Sequence, residues 1–247
     1  MEPKQTHKKR TKIITGVVLL LLFICIVGSI WYVNDYYRSD STVEQYMKKT
    51  EDVTLTEIKD GLFLDGIGET DALIFYPGAK VEYTAYIPML YQLAENGVDV
   101  FLIKMPCNLA FLGKNKATDI IDTYQYEHWY LGGHSLGGAM AASYAADNSD
   151  KLDGLVLFAA YPTSSLKDSG LSVLSVYGSE DGVLNMEKVE QGRSYMPDTY
   201  TELSIKGGNH GQFGNYEVQK GDGKALITAE EQQKQTVEAI LQMVSNI

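Results

Sequence analysis

The sequence predicts an α/β protein: a mainly parallel, twisted sheet with helices on both faces, preceded by one transmembrane helix. Three observations carry that expectation. Between residues 53 and 247, short apolar strand-like runs alternate with helix-like segments. A Gly-x-Ser-x-Gly pentapeptide, Gly133 to Gly137, falls between one such strand and the helix after it. Finally, Ile13 to Val33 is a run of 21 residues with no charge.

That run comes first in the chain. As a helix it would be roughly 32 Å long, about the thickness of a bilayer core. Lys4, Lys8, Lys9, Arg10 and Lys12 precede it, and Trp31, Tyr32, Tyr36 and Tyr37 lie at its far end. The expected order is a basic cytoplasmic segment over 1–12, a signal-anchor helix over 13–33 and a juxtamembrane linker or short helix over 34–52. The remaining body is then extracytoplasmic, because basic flanks stay inside. The competing expectation is a secreted protein, cleaved near Val27-Gly28-Ser29.

The body, 53–247, reads as one domain. Val53–Lys59 and Gly61–Ile67 form a hairpin around Asp60-Gly61, giving an antiparallel start. Ala72–Tyr76 is a strand ending in Pro77-Gly78. Thr84–Glu95 has helical spacing and stops at Asn96-Gly97. Val98–Lys104 is the next strand, and Asp119–Tyr124 a short helix. Strand His128–Gly132 leads into the Ala-rich helix Leu136–Ala146. Strands Gly154–Ala160, Leu171–Tyr177 and Tyr200–Ile205 follow, with a helix over Leu184–Tyr195 between the last two. Ala229–Val244 closes the chain as a helix with Glu230 and Glu231 in its first turn, which suits the helix dipole. About ten residues, Tyr161 to Gly170, stand where a cap would enter, so no lid and an open site are expected.

Charge and cysteine content narrow the function. From residue 34 onward, 16 basic residues face 31 acidic ones, and only Arg38 and Arg193 are arginines. Such a body repels phosphate backbones, which argues against nucleic acid as a partner. Two cysteines make no disulfide scaffold, and no Cys/His cluster has zinc spacing. Cys107 is expected to be a packed thiol. No metal or organic cofactor is expected.

The pentapeptide supplies the chemistry. A serine on a sharp strand-to-helix turn has a strained backbone, and Gly133 and Gly137 leave it room. The turn lifts the Ser135 hydroxyl above the sheet edge and aims the Leu136 N–H at a developing oxyanion. Serine needs a base. His7 precedes the membrane run, His128 starts the strand and His134 adjoins Ser135, pointing elsewhere. His210, in the glycine-rich stretch Lys206 to Gly211, is left. The acid that fixes its tautomer should follow a strand between Ser135 and His210. Asp181 fits best, with Glu180 and Asp168 as alternatives. A second oxyanion donor is expected after the Ala72–Tyr76 strand, from the backbone N–H of Ala79, with Gly78 next. Lys80, Glu82 and Tyr83 are candidates for shaping the pocket, and Gly221-Asp222-Gly223 reads as a plain turn.

Four segments resemble the α/β-hydrolase superfamily, and more finely its small bacterial dienelactone-hydrolase-like members. They are Tyr76-Pro77-Gly78-Ala79-Lys80-Val81-Glu82, Lys104-Met105-Pro106-Cys107-Asn108-Leu109-Ala110, Gly133-His134-Ser135-Leu136-Gly137-Gly138 and Asn209-His210-Gly211-Gln212-Phe213-Gly214. The resemblance implies the triad roles for Ser135, Asp181 and His210. Serine stands where dienelactone hydrolases proper carry cysteine, which favours general ester chemistry. The expected function is a membrane-anchored carboxylic-ester hydrolase acting on small or surface-bound esters through an acyl-enzyme. Acyl transfer or peptide cleavage on the same residues, and a non-catalytic anchored binding module, remain open from sequence.

Overall fold

The computed structural model describes residues 4–47 and 52–247. Residues 1–3 of the basic segment and 48–51 of the linker therefore lie outside the described residues. Two compact units divide the chain, Met1–Tyr36 and Tyr37–Ile247.

The first unit is a single helix, α1 (Lys4–Asn34). Its stretch Lys12–Asn34 is long and apolar enough to cross a membrane, as a signal sequence also is.

The second unit is built on one eight-stranded sheet. Its strands are β1 (Thr54–Ile58), β2 (Gly61–Asp65), β3 (Asp71–Tyr76), β4 (Val98–Ile103), β5 (His128–His134), β6 (Gly154–Phe158), β7 (Ser172–Gly178) and β8 (Tyr200–Ile205). They lie in the order β1-β2-β4-β3-β5-β6-β7-β8. Strand β2 pairs antiparallel with both β1 and β4, and every other pairing is parallel. The connections from β3 run to β4 on one side and from β4 back to β5 on the other. Direction along the sheet therefore reverses at β3, the place where open parallel sheets form a crevice beyond the carboxyl ends of their strands.

Side-chain alternation sends one set of residues to each face. Leu73, Phe75, Tyr130, Val156 and Phe158 pack with α2 (Ile87–Glu95) and the closing helix. Ala72, Ile74, Leu131, Leu155 and Leu157 pack on the other face. That second face is covered by α3 (Lys116–Ile121) and α4 (Leu136–Asp147). A short α5 (Met186–Gly192) and the closing α6 (Ala229–Val244) complete the helices. Thr228 caps α6 by accepting the Glu231 N–H at 3.2 Å.

Four local readings change. The short helix expected over 119–124 forms three residues earlier, as α3, and the helix expected over 184–195 is α-helical only as α5. Part of the stretch read as a linker is docked on the second unit. Tyr37 forms a bridge with Val81, its N–H donating to Lys80 O at 2.7 Å and its carbonyl accepting from Glu82 N–H at 2.9 Å. Val43 is buried. Cys107 is exposed rather than packed. It and Asn108 both have φ of 54°, so the chain turns outward there while Met105, Leu109 and Ala110 enter the core. Residues 159–171, between β6 and β7, hold neither helix nor strand.

Candidate active site

Ser135 sits between the end of β5 and the start of α4 with φ 53° and ψ −119°. This region is sparsely populated by residues with a Cβ and costs on the order of 1–3 kcal/mol. The fold enforces it by close backbone packing. A Cβ on Gly133 would lie 2.5 Å from Gly137 C, and one on Gly137 would lie 2.2 Å from Tyr76 O and 2.4 Å from Pro77 O. The two glycines thus let α4 start directly against the end of β3. Leu136, as the first helical residue, has an N–H with no acceptor inside the helix.

His210 follows β8 and Asp181 follows β7, so both stand at the carboxyl edge of neighbouring parallel strands. His210 Nδ1 lies 2.8 Å from Asp181 Oδ2, and both side chains are 1% exposed. The second carboxylate oxygen, Oδ1, accepts the N–H groups of Val183 at 2.8 Å and Leu184 at 2.7 Å. A carboxylate held this way makes Nδ1 the protonated nitrogen and leaves Nε2 as an acceptor. Nε2 is buried and has no hydrogen-bond partner. No hydrogen bond joins it to Ser135 among the described residues, yet Ser135, Leu136 and His210 line one cavity of about 230 Å³. Its remaining wall includes Ala159, Ala160, Tyr161 and Leu184.

The alternatives to Asp181 stand elsewhere. The Glu180 carboxylate accepts from its neighbour Ser179 at 2.9 Å, and Asp168 makes no contact with His210 among the described residues. Ala79 lies in the loop after β3 but does not line the cavity. Its neighbours' amides are engaged: Gly78 N–H donates to Tyr86 Oη at 3.0 Å and Lys80 N–H to Asn108 O at 2.9 Å. The Ala79 N–H has no acceptor among the described residues, which leaves it, rather than that of Gly78, as the loop's available donor. Lys80, Glu82 and Tyr83 do not shape the cavity. Glu82 instead accepts from Ser39 N–H at 3.0 Å, and Tyr83 has Lys104 Nζ 5.6 Å from its ring centre.

Sequence reasoning missed three side chains that hold this arrangement. His134 points away from Ser135, as expected, but into a buried chain of hydrogen bonds. Its Nε2 lies 3.0 Å from the carbonyl of His210, which can only accept, so Nε2 carries the proton. Nδ1 then accepts from Tyr86 Oη at 2.8 Å, and Tyr86 Oη accepts the Gly78 N–H. The loop after β3, the serine turn and the histidine loop are thereby joined. Burial, and then the neighbouring His210, hold the His134 pKa well below the usual histidine range, so the ring stays neutral. A Cβ on Gly78 would lie 2.7 Å from His134 Nδ1, which ties that glycine to the network.

The third is Asp222, read as part of a plain turn. Its carboxylate accepts the N–H groups of His210 at 3.1 Å, Gly211 at 2.8 Å and Gly182 at 3.2 Å. It therefore clamps the loop of the histidine to the loop of the acid. Gln232 on α6 makes two bonds to Asn209, its Nε2 donating to the carbonyl and its Oε1 accepting the N–H, each at 2.9 Å. A Gly-Asp-Gly turn has no distinguishing sequence signal, and the spacing from Tyr86 to His134 is 48 residues.

Among the described residues, no group of three or more His, Cys, Asp or Glu side chains could hold a metal ion.

A serine on a strained strand-to-helix turn, beside a reversal of strand order in a mostly parallel sheet, defines the α/β hydrolase fold. The chain belongs to the Alpha/beta hydrolase family, whose pattern it matches over residues 72–234. No curated protein matches it. Solved structures of the same fold include a predicted CIB-like hydrolase from Thermoplasma acidophilum, with TM-score 0.58 and 15% identity over 76% of this chain and 98% of that one. The carboxylesterase CesB from Bacillus subtilis has TM-score 0.58 and 10% identity, covering 83% and 96% of the two chains. Est1E from Butyrivibrio proteoclasticus has TM-score 0.56 and 13% identity, covering 79% and 100%.

Proposed function

We propose that the protein is a membrane-anchored serine hydrolase of carboxylic esters, with Ser135 as nucleophile, His210 as base and Asp181 as the acid that orients it. The observation that carries the reading is the pairing of a buried His210–Asp181 contact at 2.8 Å with an unpartnered Nε2 on a histidine that lines the same cavity as Ser135.

The reaction follows from those atoms. Ser135 Oγ bonds to the ester carbonyl carbon as Nε2 takes its proton. The carbonyl oxygen gains the negative charge, which the N–H groups of Leu136 and Ala79 stabilise at about 3 kcal/mol each. The carbon–alkoxy bond then breaks, and the imidazolium returns its proton to the departing alcohol. Water adds to the acyl-serine by the same route and releases the acid. The resemblance to dienelactone-hydrolase-like enzymes supports a small ester, as does the short connection over residues 159–171, which holds neither helix nor strand. The charge-free run 13–33 of α1 and the basic residues before it support a retained anchor with the second unit outside the cytoplasm.

Stopped-flow hydrolysis of p-nitrophenyl acetate tests the reading. A burst of p-nitrophenol stoichiometric with protein, followed by slower turnover, is the expected result. Release no faster than in protein-free buffer would reject it.

A further inference from the structure

We propose that the natural ester is borne by a membrane amphiphile: a short acyl group enters the cavity while the lipid chain stays in the bilayer. The inference rests on the hydrolase reading above and names its substrate class.

The first observation is where the anchor joins the domain. Only Asp35 and Tyr36 separate the end of α1 from Tyr37, a reach of at most about 11 Å between Cα atoms. Tyr37 is bonded to the backbone of Lys80 and Glu82, one and three residues past Ala79. Its hydroxyl also accepts the Lys220 N–H at 3.0 Å, in the loop that continues from His210. Asp40 N–H donates to Asn215 O of the same loop at 3.0 Å. The first residues after the anchor are thus stitched to the loop after β3 and to the loop that continues from His210.

The second observation is independent. Phe111, Leu112, Val183, Met186, Val218 and Leu226 are exposed, Val218 at 94% and Leu226 at 73%. They lie on the connections leaving the carboxyl ends of β4, β7 and β8, the edge of the sheet that carries Ser135 and His210. Elsewhere in the second unit, the large apolar side chains exposed among the described residues are Met47, Ile67, Tyr195 and Ile247. Apolar side chains on the edge that carries the site, in a domain joined through two residues to the apolar helix, suit a lipid surface.

The cavity sets the acyl group. At about 230 Å³ it falls below the usual range of pockets for drug-sized ligands, so it suits a short acyl chain and leaves the alcohol portion outside. The acidic body, 16 basic against 31 acidic residues from position 34, repels anionic headgroups and favours a neutral or zwitterionic carrier.

The test uses the full chain in phosphatidylcholine vesicles holding hexadecyl acetate, with p-nitrophenyl acetate in the aqueous phase as a matched soluble acetyl ester. Inserting about 20 Gly and Ser residues between Asp35 and Tyr36 lowers the concentration of site at the surface without touching the cavity. The expected result is an unchanged rate on p-nitrophenyl acetate and a loss of about tenfold on hexadecyl acetate. Replacing Phe111→Ser together with Leu112→Ser should lower the ratio of embedded to soluble turnover in the same direction. Equal turnover of hexadecyl acetate with the short and the long tether would overturn the inference. So would cleavage of p-nitrophenyl acetate alone, with the hydrolase reading intact. Cleavage of neither ester would overturn both.

Discussion

Ser135→Ala should leave a folded protein whose kcat on p-nitrophenyl acetate falls by on the order of 10⁶-fold, to the level set by binding and oxyanion contacts alone. The size follows from the role: without Oγ no acyl-serine forms, and no other serine, threonine or cysteine lines the cavity. Its lining is otherwise aliphatic or aromatic, apart from the Asn185 amide and His210. The fold should survive because alanine occupies φ 53° at the same cost as serine, and Gly133 and Gly137 still leave room for its Cβ. Thermal unfolding checks the fold, and the burst phase checks the chemistry. A variant with parental melting temperature and a residual burst would reject Ser135 as nucleophile.

Asp181→Asn should cost about 10⁴-fold in kcat, although the side chain keeps its shape. The reason lies in the two loop amides. Val183 and Leu184 donate to Oδ1 of Asp181. An asparagine would keep its carbonyl oxygen there and turn its NH₂ toward His210. That NH₂ can only donate, so Nδ1 must accept, and the imidazole proton moves to Nε2. The base then faces the serine in the tautomer that cannot take a proton. Steady-state kinetics on p-nitrophenyl acetate measures the loss. A decrease of less than about tenfold would mean that the carboxylate serves only its own turn.

The parts of this site that were legible in the sequence are those fixed by short-range geometry. Ser135 is marked because the turn that presents it demands glycine on both sides, and the structure places backbone within 2.5 Å of either missing Cβ. His210 and Asp181 follow because parallel strands bring their carboxyl ends to one edge, so the order of strands puts both loops together. Strand cores were legible for the same reason, since residues such as Ile74 and Leu131 must face a covered sheet.

What escaped was held together by long-range polar contacts with no periodic trace. Asp222 stands 12 residues from His210 in a stretch whose composition says only turn. Tyr86 reads as one more apolar position of a helix, yet its hydroxyl joins Gly78 to His134. Cys107 looked packed because a lone thiol among apolar neighbours usually is. The left-handed pair Cys107 and Asn108 turns it outward. The segment after the anchor reads as a linker by polarity, and only the sheet shows that Tyr37 docks against Val81.

The central claim is that Ser135 is the atom acylated by the ester. The most direct measurement is mass-spectrometric mapping of the protein after reaction with a fluorophosphonate. The account predicts one adduct, on the peptide's Ser135, abolished when the protein is unfolded beforehand. Labelling of another residue, or an unmodified Ser135 in folded protein, would contradict it.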